Sequence, residues 1–118
     1  MKYIDEEFVI GINKCICESQ GVQSVIINRN NLLSALSVQQ WYDDDCERAC
    51  ALLRSISIGH PFKDGNKRTA AIVAISIKEF DVDDAVAEDI IVDIASGKLK
   101  EVKDIKSLLY KDTEYSLY

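Results

Sequence analysis

The sequence predicts an all-α protein, a compact bundle of about six helices around a central buried helix. Three observations carry this. Apolar residues recur at helical spacing along almost the whole chain. Acidic clusters and glycines punctuate it repeatedly, as Asp5-Glu-Glu and Gly21, Asp43-Asp-Asp and Gly59, and Asp83-Asp84 and Gly97. Only Val22–Ile27 has the composition of a strand, and it suggests at most a minor hairpin near residues 22–30.

The first helix is expected from Asp5 to about Ser19, with Phe8, Ile12 and Ile16 four apart and three acids in the first turn, where they suit the helix dipole. Gly21 ends it. Val25-Ile-Ile reads as extended and Asn28-Arg-Asn-Asn as a turn, ahead of a short helix over Asn31–Leu36 that begins at Leu32-Leu33. Asp43-Asp-Asp caps a helix to about Ile58, on which Cys46, Ala49, Leu52, Leu53 and Ile56 form an apolar stripe. Lys67–Phe80 is apolar nearly all round, which predicts the buried central helix over Thr69–Phe80. Asp83-Asp84 caps a helix with Val86, Ile90, Ile91 and Ile94 on one face. Val102, Ile105, Leu108 and Leu109 are expected to be buried by a last helix over Val102–Tyr110. Residues 112–118 show no period and are expected to fray.

At 118 residues, with 47% apolar content, the chain reads as one soluble domain over 1–118. A net charge of −6 argues against direct nucleic-acid binding, because neutralising phosphates supplies most of that affinity. No signal-peptide pattern or membrane-length apolar stretch occurs, so a cytoplasmic location and no membrane partner are expected. The four cysteines fall as Cys15-x-Cys17 and as Cys46 and Cys50, within helical patterns and not in short zinc knuckles. In a reducing cytoplasm they read as buried or half-buried free thiols.

The chemistry concentrates in His60-Pro-Phe-Lys-Asp-Gly-Asn-Lys-Arg68, which holds the only histidine and the only proline of the chain. A loop feeding a helix N-terminus suits a polyphosphate, since the first backbone N–H groups lack helical partners and the dipole favours anions. Lys67 and Arg68 would add a point charge and a planar donor fork. Asp64 suits magnesium, which takes one or two carboxylates together with phosphate oxygens and water. His60 suits proton abstraction near neutral pH, since histidine is the side chain whose unperturbed charge change falls in that range. Two cations in a first turn cost stability unless an anion joins them, and that broken local rule favours a site over a solvated face.

The nine residues resemble the signature of the Fic/Doc family, H-x-F-x-[DN]-x-N-[GK]-R. The length and the helix on either side of the loop resemble its compact Doc branch, the death-on-curing toxins. The resemblance implies a Fic/Doc fold, ATP and Mg2+ as cofactors, and His60 as the general base acting on a protein hydroxyl. It makes Phe62 the anchor of the loop, Asp64 the metal ligand, and Gly65, Asn66, Lys67 and Arg68 the phosphate-binding residues, with Gly65 allowing close backbone approach. AMP-transferring members carry glycine where this chain has Lys67, and a second arginine where it has Ala71. In Doc-like members that change accompanies an inverted ATP, which implies a kinase that phosphorylates Ser or Thr of a translation factor, elongation factor Tu being the family's known target. Pro61 and Gly65 match the AMP-transferring branch, so AMP transfer stays open, as does a non-catalytic module binding nucleotide or a partner. No [ST]-x-x-x-E-[GN] inhibitory segment occurs. The resemblance therefore implies an antitoxin whose segment folds into a groove of the toxin. Exposed apolar residues of the first or last helices, or Trp41 and Tyr42, would line that groove, although core packing is the simpler expectation for Trp41.

Overall fold

The computed structural model describes residues 3–111, so the expected fraying of residues 112–118 lies outside the described residues. Six helices follow one another: α1 (Glu6–Ser19), α2 (Arg29–Ser37), α3 (Asp45–Gly59), α4 (Asn66–Ile77), α5 (Asp84–Ala95) and α6 (Val102–Leu109). A 3₁₀ turn over Val38–Trp41 leads out of α2. Among the described residues there is no strand. Instead of a hairpin, the extended stretch makes a single antiparallel bridge, Ile26 to Phe62.

Short polar side chains set the helix starts. Asp5 accepts from the Phe8 N–H, Asn28 from Asn31, Asp44 from Glu47 and Asp83 from Val86, each closing one otherwise unpaired donor of the first turn. Asn28-Arg-Asn-Asn is thus a cap and the first turn of α2, not a free turn. Gly21 and Gly97, at φ +70° and +84°, turn the chain just past α1 and α5.

The central helix is α3, not the Thr69–Phe80 segment. It packs against α2, the 3₁₀ turn, α4, α5 and α6, and Ala49–Leu53 and Ile56 are completely buried. Its Arg48 and Ser57 are buried too, and such polar residues disguise a core helix in a hydropathy pattern. Among the described elements, helix α4 packs on α1, α3 and α5, and Ile72 and Ile75 are exposed.

Three other expected faces rotate. On α1 the inward residues are Val9, Asn13, Ile16 and Cys17, while Phe8 is exposed. On α5 Ala87 replaces Val86, and on α6 Leu108 faces out. Trp41 is 74% exposed, against the expectation of core packing. Gln39 takes the inward place, its side chain bonding both backbone groups of Ile4 at 2.7 and 2.9 Å and the Leu36 carbonyl. Tyr42 does pack on the core. Cys17 and Cys50 are buried and Cys46 half-buried, whereas Cys15 is exposed, all four as free thiols. Among the described residues no helix is long and apolar enough to cross a membrane.

Candidate active site

The nine-residue loop joins the two helices that pack most extensively on each other, α3 and α4. His60 is the C-cap of α3 and sits in the left-handed region, φ 50° and ψ 52°, with its N–H donating to the Ile56 carbonyl at 3.2 Å. It is the one non-glycine among the described residues with positive φ. That conformation costs about 1–3 kcal/mol and persists where the surroundings impose it. The chain on both sides of His60 is pinned. Asn31 Nδ2 donates to the Gly59 carbonyl at 2.6 Å, and the Ile27 and Asn28 N–H groups both donate to the Pro61 carbonyl at 2.9 and 3.1 Å. The imidazole itself is exposed.

Phe62 is completely buried. Its backbone is gripped by Asn66: the Phe62 N–H donates to Oδ1 at 2.9 Å, and Nδ2 donates to the Phe62 carbonyl at 2.7 Å. Beyond it the Lys63 N–H donates to the Val25 carbonyl at 2.9 Å. The side chain of Asn66, 5% exposed, is therefore committed to closing the loop, and its backbone N–H is the group it can offer to a phosphate.

Gly65 is the N-cap of α4 at φ +79°. A Cβ there would lie 3.2 Å from Asn13 Nδ2 and 3.2 Å from Ile16 Cγ2. The glycine thus suits both a left-handed turn and the close approach of α1. It also deprives α4 of the side-chain cap that α1, α2, α3 and α5 possess. The first-turn N–H groups of Asn66, Lys67 and Arg68 have no partner within the helix, and no acid stands in that turn. The Lys67 and Arg68 side chains are exposed, as is Asp64. The loop is a cationic place on an acidic chain.

Sequence reasoning missed two groups that build this site. One is the clamp of Ile27, Asn28 and Asn31 around His60. The other is Asn13, buried in α1, whose side chain reaches Asp64 and Thr69 across the domain.

A family model, the Fic/DOC family, matches residues 3–77, which run from the start of the described chain to the end of α4 and include the whole loop. The chain belongs to the Fic/DOC family. Among curated proteins no match is found. Fic/DOC proteins are typically transferases that move AMP or a phosphate. The matched region holds the four helices that shape the loop, and α5 and α6 lie beyond it.

The donors present fit the group that a Fic/DOC transferase would bind. Asp64 offers a hard carboxylate oxygen, and the uncapped turn with Lys67 and Arg68 suits phosphate oxygens. Among the described residues no three His, Cys, Asp or Glu side chains gather as a metal cage. A cation at Asp64 would therefore need phosphate oxygens and water to complete its shell, as magnesium bound with a nucleotide does.

Proposed function

We propose that this Fic/DOC chain is the toxin of a toxin–antitoxin pair, a kinase that transfers the γ-phosphate of ATP to a Ser or Thr hydroxyl of a translation factor of the elongation factor Tu class. The observation that carries the reading is one closed loop bearing an exposed, conformationally constrained His60 at one end and an uncapped, cationic helix N-terminus at the other.

Each residue then has a role. The N–H groups of Asn66, Lys67 and Arg68, with the two cationic side chains, bind phosphate oxygens. Asp64 holds magnesium. Neutral His60 takes the proton of the target hydroxyl onto a ring nitrogen. Phe62 and the Asn66 side chain keep these groups in register. The hydroxyl oxygen would form its bond to the γ-phosphorus of ATP as the bond to the bridging oxygen breaks and ADP leaves, with magnesium neutralising charge on the phosphate oxygens. Phosphoryl transfer asks a protein mainly for alignment and charge neutralisation, which is the kind of help this loop offers.

Lys67 favours γ-phosphate transfer, because it stands where AMP-transferring relatives carry glycine. Pro61 and Gly65 are spelled as in the AMP-transferring branch, and AMP transfer is the second reading. A cytoplasmic protein target and a separate antitoxin segment complete the proposal, with exposed Trp41 as an apolar anchor for that segment. Mass spectrometry of lysate proteins after incubation with the chain and ATP-Mg tests it. A target gaining one phosphate supports the kinase, a target gaining one AMP supports the alternative, and no modified protein contradicts both.

A further inference from the structure

Asn13 is completely buried in α1, yet it is polar and far in sequence from the loop. Its amide nitrogen is directed at the loop and the helix turn that follows it. Nδ2 donates to the Asp64 carbonyl at 2.9 Å and to Thr69 Oγ1 at 3.1 Å. Oδ1 accepts from Ser24 Oγ at 2.5 Å and from Cys17 Sγ at 3.5 Å. The contacted groups are telling. Asp64 is the loop carboxylate, Thr69 closes the first turn of α4 through its N–H to the Gly65 carbonyl, and Ser24 precedes Val25, whose carbonyl accepts from Lys63. One amide thus fixes the carboxylate-bearing residue, the phosphate-facing turn and the extended stretch flanking the loop to the same point of α1.

We propose that Asn13 is a positioning residue for the magnesium–nucleotide site, setting where Asp64 stands relative to the N–H groups of Asn66, Lys67 and Arg68. This rests on the reading of the loop as an ATP-Mg site. A buried amide with four partners is poorly replaced by an apolar residue. Leaving the Asp64 carbonyl and Thr69 hydroxyl unpaired would free the loop to shift. Groups that orient a metal ligand without touching the metal typically change metal affinity 10–100-fold when altered.

Asn13→Asp keeps the shape but replaces the Nδ2 donor by an oxygen facing the Asp64 carbonyl. Calorimetry of ATP binding across a magnesium titration is the first readout, with the parent chain measured alongside. Asn13→Asp is expected to raise the magnesium concentration for half-saturation by about tenfold or more. Amide hydrogen exchange of the ligand-free chain is the second readout: exchange over 64–69 should speed up selectively, with α5 amides unchanged. If Asn13→Asp does not fold, Ser24→Ala, which removes only one partner of Oδ1, should shift both readouts in the same direction by less. Unchanged magnesium dependence, or exchange rising equally in α5, overturns the positioning role and leaves the ATP-Mg reading standing. A parent chain that binds no ATP-Mg overturns that reading, and the positioning role with it.

Discussion

Asn66 holds Phe62 by both of its backbone groups, with bonds of 2.9 and 2.7 Å inside the protein. This pair closes the loop between α3 and α4, and it makes the asparagine of the motif first a folding residue. Asn66→Ala leaves the Phe62 N–H and C=O buried without partners. The expected loss is roughly 2–6 kcal/mol, since each of the two orphaned buried groups costs about 1–3 kcal/mol. Urea denaturation measures it, and a loss no greater than that of an exposed-site control would contradict the assignment.

His60 occupies a left-handed position that glycine fills with little cost and alanine does not. His60→Gly should therefore be more stable than His60→Ala by about 1 kcal/mol, while both lack transferase activity. Paired thermal melts and activity assays check this. Equal stability of the two variants would show that the surroundings do not enforce the strained backbone.

Lys67 and Arg68 are exposed and contribute no ion pair among the described residues. Replacing both by alanine should change folding stability by less than about 0.5 kcal/mol, or raise it slightly by removing cations from a helix N-terminus. The same double variant should lose ATP binding at least tenfold, about 1.4 kcal/mol. Calorimetry and denaturation together separate a ligand-binding role from a structural one.

Burial pushes the Cys50 thiol up to about 12 from 9.0, helped by the nearby Cys46, Asp44 and Glu47 and opposed by Lys106. Burial likewise raises the Tyr110 phenol, whose hydroxyl donates to the Lys78 carbonyl at 2.8 Å. Both groups are held neutral in the folded chain and ionise more easily when it unfolds. The Cys50 contribution is complete below the unfolded thiol value and is lost as pH rises from 9.0 towards about 12, and that of Tyr110 starts to be lost only above 10.0. Cys50 alone removes up to about 1.4 kcal/mol per pH unit in that window. Cys50→Ala should lose stability at neutral pH through its cavity, yet show a flatter alkaline slope in denaturation across the window.

The nine-residue loop was legible because its chemistry and its punctuation are both local. Helix starts at Asp5, Asp44 and Asp83 were readable for the same reason, since a cap bonds within three residues. What depends on distant partners was not legible. Asn13 interrupts the apolar stripe of α1, and its amide nitrogen finds its partners 51 and 56 residues away. Asn28 and Asn31 look like turn residues, but they cap α2 and hold the chain around His60. The centre of the bundle was misplaced because α3 carries Arg48 and Ser57 in its buried surface, whereas α4 looks more apolar than its packing requires.

The central claim is that the loop from His60 to Arg68 transfers the terminal phosphate of ATP to a protein. The direct measurement incubates the chain and its His60→Ala variant with lysate and ATP-Mg labelled at either the α- or the γ-phosphate. The account predicts protein-bound γ-label with the parent, no α-label, and neither with His60→Ala. Protein-bound α-label, or His60→Ala labelling as strongly as the parent, would contradict it.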